Sequence, residues 1–245
     1  MKKYVSLVVI LMVALLLVGC KNNNDVNVDE VSQDFDEVIA QYTDSDTVQA
    51  KVTFSTNGDK TQEITINYIK TNGMISSMGV VENKYTTDET QEMSVYVKDG
   101  VAYLNRLGEK TSEVLTSDEN SDICEDYLFN SYIDGLLEIY NTSFFDSCEV
   151  TSSTSDSVLL KCNLATLQVD PTLTDTDDIL AAQSNINKLQ AKSSITLTIN
   201  YTDDKVTSFE GEFVGDTTDL VKVEFLSTTA VDITYPELSA YTQAD

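Results

Sequence analysis

Residues 93–103 read Met93-Ser-Val-Tyr-Val-Lys-Asp-Gly-Val-Ala-Tyr103 and carry the clearest structural signal of the chain. The apolar residues at 93, 95 and 97 recur at every second position, which is the period of a half-buried strand. Asp99-Gly100 follows them and favours a type I′ turn, because both residue types tolerate a positive φ angle. The stretch therefore predicts an antiparallel hairpin that needs further strands on either side.

The same alternation lies on both sides of this hairpin. Before it, the patterns predict three strands, at 48–54, 64–68 and 74–80, separated by turns at Asn57-Gly58-Asp59 and Asn72-Gly73. After it, they predict a hairpin at 148–165 and strands at 195–201, 206–214, 220–226 and 230–235. Helical periodicity appears at 28–42, around 121–140, and at 174–189. The order predicts an α+β protein with an antiparallel sheet.

Composition argues against several classes of function. The chain has 41 acidic and 15 basic residues and a formal net charge of −26, which repels nucleic acid. It has no histidine, so it lacks the usual general base and the commonest metal ligand. No stretch has the ligand spacing of a calcium-binding EF-hand loop. The sequence predicts a non-enzymatic protein with no catalytic residue, no metal site and no cofactor.

The N-terminus has the pattern of a bacterial lipoprotein signal. Two lysines precede an apolar run at 5–18, which is too short for a bilayer span of roughly 20 residues. Leu17-Val18-Gly19-Cys20 resembles a lipobox, in which Cys20 accepts a diacylglyceryl group. The alternative is an ordinary signal peptide or a signal anchor. We interpret 1–19 as the signal peptide, 20–29 as a flexible tether and 30–245 as one domain on the extracytoplasmic face of the membrane.

Three further cysteines are present at positions 124, 148 and 162. Cys148 and Cys162 are equally distant from residue 155, the centre of their predicted hairpin, so they are expected to face each other. An extracytoplasmic location permits a disulfide between them, which would add about 3 kcal/mol for a loop of this length. The alternative is three buried free thiols. With the disulfide formed, Cys124 is an odd thiol at the start of a helix.

The order of elements, the lipobox with its short tether, the run Met93–Tyr103 and an expected closing strand ending at Tyr235-Pro236 resemble the LolA/LolB-like superfamily. That superfamily includes periplasmic lipoprotein carriers and the mycobacterial lipoproteins LppX and LprG. The resemblance covers roughly residues 30–240 and implies a curved, unclosed antiparallel half-barrel. It also implies helices over the concave face and an apolar cavity between them.

The alternating apolar residues are compatible with a ligand cavity or with an ordinary core. In the cavity interpretation the chain is a membrane-anchored monomer that binds a lipid or acyl chain without chemical change, with adaptable methionines at 74, 78 and 93 beside the ligand. In the alternative, a filled core supports a non-catalytic interaction or sensor module that presents an acidic surface to a protein or the cell wall. The expected wall residues of the cavity are Val52, Phe54, Ile66, Tyr68, Met78, Val95, Leu136 and Leu137.

Overall fold

The structure is a computed structural model that describes residues 26–116, 144–169, 171, 174 and 176–243. The helices of this part of the chain are α1 (Val28–Asp44) and α2 (Thr176–Gln190). The strands, in chain order, are β1 (Thr47–Thr56), β2 (Asp59–Thr71), β3 (Met74–Tyr85), β4 (Thr90–Lys98), β5 (Val101–Arg106), β6 (Glu109–Val114), β7 (Cys148–Ser153), β8 (Ser157–Cys162), β9 (Ser194–Thr202), β10 (Lys205–Val214), β11 (Thr218–Ser227) and β12 (Thr242–Gln243).

The strands form one sheet in the spatial order β12-β6-β5-β4-β3-β2-β1-β11-β10-β9-β8-β7. All neighbouring strands are antiparallel except β12, which pairs in parallel with β6. Among the described strands, β7 and β12 are the two edges and do not pair with each other. The predicted fold class, a curved and unclosed antiparallel half-barrel with helices on the concave face, is confirmed.

Tight turns explain why so many strands follow one another directly. Asn57, Asn72 and Asp99 have φ angles of 54°, 55° and 52°, and a glycine with positive φ follows each of them. These left-handed pairs match the twist of the strands that they join. The same conformation occurs at Asp203 and Asp204, with φ angles of 52° and 60°. The hairpins predicted at these four places are therefore confirmed.

One face of the sheet carries the core, and we call it the concave face. Val52 lies opposite Val223 on one side and Ile64 on the other, and such rows of apolar cross-strand neighbours continue across the sheet. The opposite face is polar there: Lys51 Nζ lies 3.1 Å from Glu63 Oε2. Buried residues of the concave face include Leu160, Leu197, Ile199, Phe209, Val223, Val48, Ala50, Val52, Ile64, Ile66, Tyr68, Met78, Val80, Val95, Val97 and Ala102.

Helix α1 packs over the part of the concave face formed by β10 and β11. Its first turn is capped by Asn27, whose side chain accepts a hydrogen bond from the Glu30 amide at 2.9 Å. The ring centroid of Phe35 lies 5.1 Å from that of Phe209, and the centroid of Tyr42 lies 5.0 Å from that of Phe225. Burial raises the pKa of Tyr42 to about 12, which fits its position between helix and sheet.

Helix α2 contributes Ile186 and Leu189 to the same core, while Leu180 is exposed. The side chain of Gln190 donates a hydrogen bond to the Leu164 carbonyl at 3.2 Å, which holds the end of the helix near β8. The helix expected around 121–140 lies outside the described residues.

The prediction of a strand at 230–235 is wrong, because this segment is not paired with a neighbouring strand and crosses the outer face of the sheet. The Tyr235 hydroxyl donates a hydrogen bond to the Val97 carbonyl at 3.1 Å, and its ring lies 6.1 Å from that of Tyr96. Ile233 fills the space above Gly79, where an added Cβ would lie 2.9 Å from its Cγ2. Side-chain packing on the outer face, and not a strand ladder, therefore holds this segment.

Strands β6 and β12 were not predicted. Both are short and mostly polar, so their sequences lack the apolar alternation on which the prediction depended. The Leu107-Gly108 turn, with φ angles of 55° and 94°, returns the chain along β5 and creates β6. No helix among the described residues is long and apolar enough to cross a membrane.

Candidate functional site

The expected wall residues of the cavity lie together on the concave face, but most of them are packed. Val52, Ile66, Tyr68 and Met78 each have 0% exposure, and the pairing places Ile66 beside Val80 and Tyr68 beside Met78. Phe54 is partly buried against the same cluster. Leu136 and Leu137 lie outside the described residues. The β1–β3 part of the expected wall therefore behaves as core.

Met74, expected as a further apolar liner, is 48% exposed. A register shift between Ile69 and Lys70 changes the pairing at the start of β3, and Ile75, with 3% exposure, is buried instead. A shift of one residue exchanges the two faces of a strand, so the periodicity alone assigned this methionine to the wrong face.

A partly open, mainly apolar cavity of about 360 Å³ lies at the end of β3, β4 and β5. This volume falls within the range of small-molecule sites, roughly 300–1,000 Å³. Five of its described lining residues share the concave face, since Val80 pairs with Val95, and Met93 pairs with both Glu82 and Arg106. We call it the concave pocket; its described lining is Val80, Glu82, Met93, Ser94, Val95, Asn105, Arg106 and Leu107.

Of the expected wall residues that the structure describes, Val95 alone lines this pocket. Its side chain is 5% exposed, so it forms an inner wall and not an outer edge. The alternation that predicts the hairpin also places Met93 and Val95 on one face, and the pairing with β3 adds Val80. The sequence gives no signal for the local absence of packing, because a cavity depends on the shapes of neighbours on other strands.

The rim of the concave pocket is polar. Lys84 Nζ lies 3.2 Å from Glu82 Oε1, and the Gln62 side chain donates to the same oxygen at 2.7 Å. Arg106 ends β5 on the row that contains Met93 and Glu82. The arrangement combines an apolar interior with fixed charges at one end, which suits a ligand that has an apolar chain and a polar head. Sequence reasoning missed Glu82 and Arg106.

A second, open cleft of about 960 Å³ lies at the Cys148–Cys162 end of the hairpin of β7 and β8. Cys148 and Cys162, a directly opposed pair in this hairpin, are joined by a disulfide. The cleft is lined mainly by polar residues, among them Asp146, Lys161, Asn163 and Ser193. Since both sulfur atoms are bonded to each other, neither is available as a nucleophile while the disulfide is intact.

Lys192 also lines this cleft and is engaged elsewhere, because its Nζ lies 2.7 Å from Asp219 Oδ2. The hydrogen bond from Lys192 lowers the pKa of Asp219, so the Asp219 carboxylate stays charged at neutral pH. Among the described residues no group of three or more His, Cys, Asp or Glu side chains is arranged to hold a metal ion.

No protein-family model and no curated protein matches this sequence. Solved structures of two mycobacterial lipoproteins are similar to this one. LppX of Mycobacterium tuberculosis is 9% identical, with a TM-score of 0.38, over 84% of this chain and 99% of that chain. LprF of Mycobacterium bovis is 12% identical, with a TM-score of 0.38, over 85% of this chain and 97% of that chain.

Proposed function

We propose that this protein is a membrane-anchored extracytoplasmic lipoprotein that binds a lipid or acyl chain in the concave pocket without changing it chemically. The pocket carries this proposal: a cavity of about 360 Å³ persists beside a densely buried sheet. Protein interiors otherwise pack to about 0.75 density. Its apolar lining residues, Val80, Met93 and Val95, would contact an apolar ligand, and burial of apolar area at about 25 cal/mol per Å² would supply the affinity.

The anchor in this proposal is Cys20, with a diacylglyceryl group that inserts into the membrane. Two acyl chains give stable attachment at about 0.8 kcal/mol per buried methylene, whereas one chain gives only reversible binding. Few residues separate Cys20 from Val28 in the sequence, where α1 begins, and such a short linker would keep the domain close to the bilayer surface. We propose that the anchored protein is a monomer.

A second candidate function is an interaction or sensor module with a filled core. The observation that favours it is the complete burial of Val52, Ile66, Tyr68 and Met78, each with 0% exposure. These four residues were expected to face a ligand, and in this arrangement they face packed neighbours. The acidic surface, with a net charge of −26, would then meet a protein or cell-wall partner.

The substitution Val95→Trp distinguishes the two functions, because Val95 faces the concave pocket. The full chain is purified from membranes, and the bound lipids are extracted and identified by mass spectrometry. For a lipid carrier we expect Val95→Trp to abolish lipid co-purification while the melting temperature stays close to that of the wild type, since the indole occupies existing space.

The matched control is Val114→Trp, which adds the same side chain at a position that is 65% exposed. It should leave both the lipid and the melting temperature unchanged. If wild-type protein carries no lipid, and Val95→Trp destabilises by about 1–3 kcal/mol as overpacked cores do, the interaction module is the better description.

A further inference from the structure

Arg106 is the single arginine of a chain with 41 acidic residues, and it lies on the rim of the concave pocket. We propose that its guanidinium binds the anionic head, a carboxylate or a phosphate, of a single-chain amphiphile whose acyl chain occupies this pocket. The inference rests on the proposed function and deepens it, because it names the class of ligand.

Among the described residues Arg106 forms no ion pair, although its partner across the β5–β6 hairpin is Glu109. Glu82, the carboxylate among the described lining residues of the pocket, is already engaged by Lys84 at 3.2 Å and Gln62 at 2.7 Å. In the part of the chain that the structure describes, the rim therefore holds one neutralised pair, Glu82 and Lys84, and one arginine without an ion-pair partner.

The backbone around Arg106 is fixed by its own turn. Leu107 and Gly108 both adopt positive φ angles, and the Gly108 amide donates to the Asn105 side chain at 2.9 Å. The Asn105 amide nitrogen in turn donates to Glu92 Oε1 at 3.1 Å. These contacts secure the end of β5, so the arginine is presented from a defined position.

The distances suit an amphiphile. Arg106 pairs with Met93, and Val95 lies two residues further along β4, a separation of roughly 6.8 Å along a strand. A head bound at the guanidinium thus places the first carbons of its chain over Met93, Val95 and Val80. Arginine offers a planar fork that binds a carboxylate or phosphate through two hydrogen bonds. The distant acidic charges act weakly, because salt screens them beyond about 8 Å.

The test measures head-group preference and not binding alone. Full-length lipidated protein is placed in phosphatidylcholine nanodiscs, and a photoreactive monododecanoylglycerol labels the pocket, with labelled peptides mapped to β3–β5. Dodecanoate, dodecyl phosphate and neutral monododecanoylglycerol then compete at pH 8. We expect the anions to compete about tenfold better than the neutral lipid, a ratio that corresponds to the lower end of the free energy of a hydrogen bond to a charged group. Comparison of the two anions distinguishes a carboxylate head from a phosphate head.

Arg106→Gln should reduce this ratio to about one and leave competition by the neutral lipid unchanged. Arg106→Lys should retain part of the preference, and the control Lys205→Gln, which removes an exposed positive charge on β10, should retain all of it. Saturable labelling without anion preference in the wild type, or with the preference intact in Arg106→Gln, overturns the role of Arg106. The absence of saturable labelling by any lipid overturns the proposed function itself.

Discussion

Replacing Phe35 tests how helix α1 is held on the concave face. The ring is 1% exposed, and its centroid lies 5.1 Å from Phe209 and 5.6 Å from Phe145. Truncation of a buried Phe to Ala costs about 3–5 kcal/mol. For a domain of this size we therefore expect Phe35→Ala to lower the melting temperature by roughly 6–20 °C.

The aromatic part of this loss can be separated from the lost volume. Each ring pair contributes about 0.5–1.5 kcal/mol beyond area burial, so the two pairs supply about 1–3 kcal/mol of the total. A double-mutant cycle with Phe35→Leu and Phe209→Leu, measured by urea unfolding, should give a coupling energy of about 0.5–1.5 kcal/mol. Leucine retains apolar volume, which limits the cavity term in both single variants.

The control cycle pairs Phe35→Leu with Tyr103→Leu. Tyr103 lies on the outer face of β5, where its ring makes an edge-to-face contact with Tyr241 at a centroid distance of 5.5 Å. Six strand spacings separate β5 from β10, or roughly 29 Å, so this cycle should be additive within about 0.3–0.5 kcal/mol. A loss below about 1 kcal/mol for Phe35→Ala, or equal coupling in the two cycles, would refute the inference that these rings hold α1.

Two further predictions concern the cysteines. Non-reducing peptide mapping of the mature protein should show Cys148 linked to Cys162, and the double Cys→Ser variant should lose about 3 kcal/mol of stability; a link through Cys124, or three thiols open to alkylation, would contradict it. Cys20→Ala should release the protein from the membrane fraction or leave the signal peptide uncleaved, because no lipid can be attached. Unchanged cleavage together with unchanged partition into detergent would exclude lipidation at Cys20.

Local signals were sufficient to predict most of the sheet. The turns at Asn57, Asn72 and Asp99 need only their own residue types to adopt a positive φ, and the strands between them alternate in the expected period. The order of elements then led to an antiparallel α+β architecture, and the half-barrel was implied by the family resemblance. The strand predicted at 230–235 was wrong because it depended on non-local packing. The segment around Tyr235 has strand-like composition, but its position is decided by packing on Tyr96 and Gly79.

The pocket was less accessible to sequence reasoning than the fold. Periodicity identifies which residues face the interior, and it placed Val52, Ile66, Met78 and Val95 there correctly. It cannot show which of them touch one another and which border a space, because that depends on neighbours from other strands. Arg106 carried no signal either, since a charged residue at a strand end is ordinary until the pairing with Met93 shows which face it occupies.

The two parts of the concave face are filled differently, and this difference bears on how a ligand would enter. Over β10 and β11, rings of α1 pack directly on Phe209 and Phe225, so a ligand there would have to displace the helix. The concave pocket lies on β3–β5, whose strands are held by their own ladders and by turns. A ligand can therefore occupy it while α1 stays in place. Stability and lipid binding should then separate: Phe35 variants lower the first and spare the second, whereas Val95→Trp does the reverse.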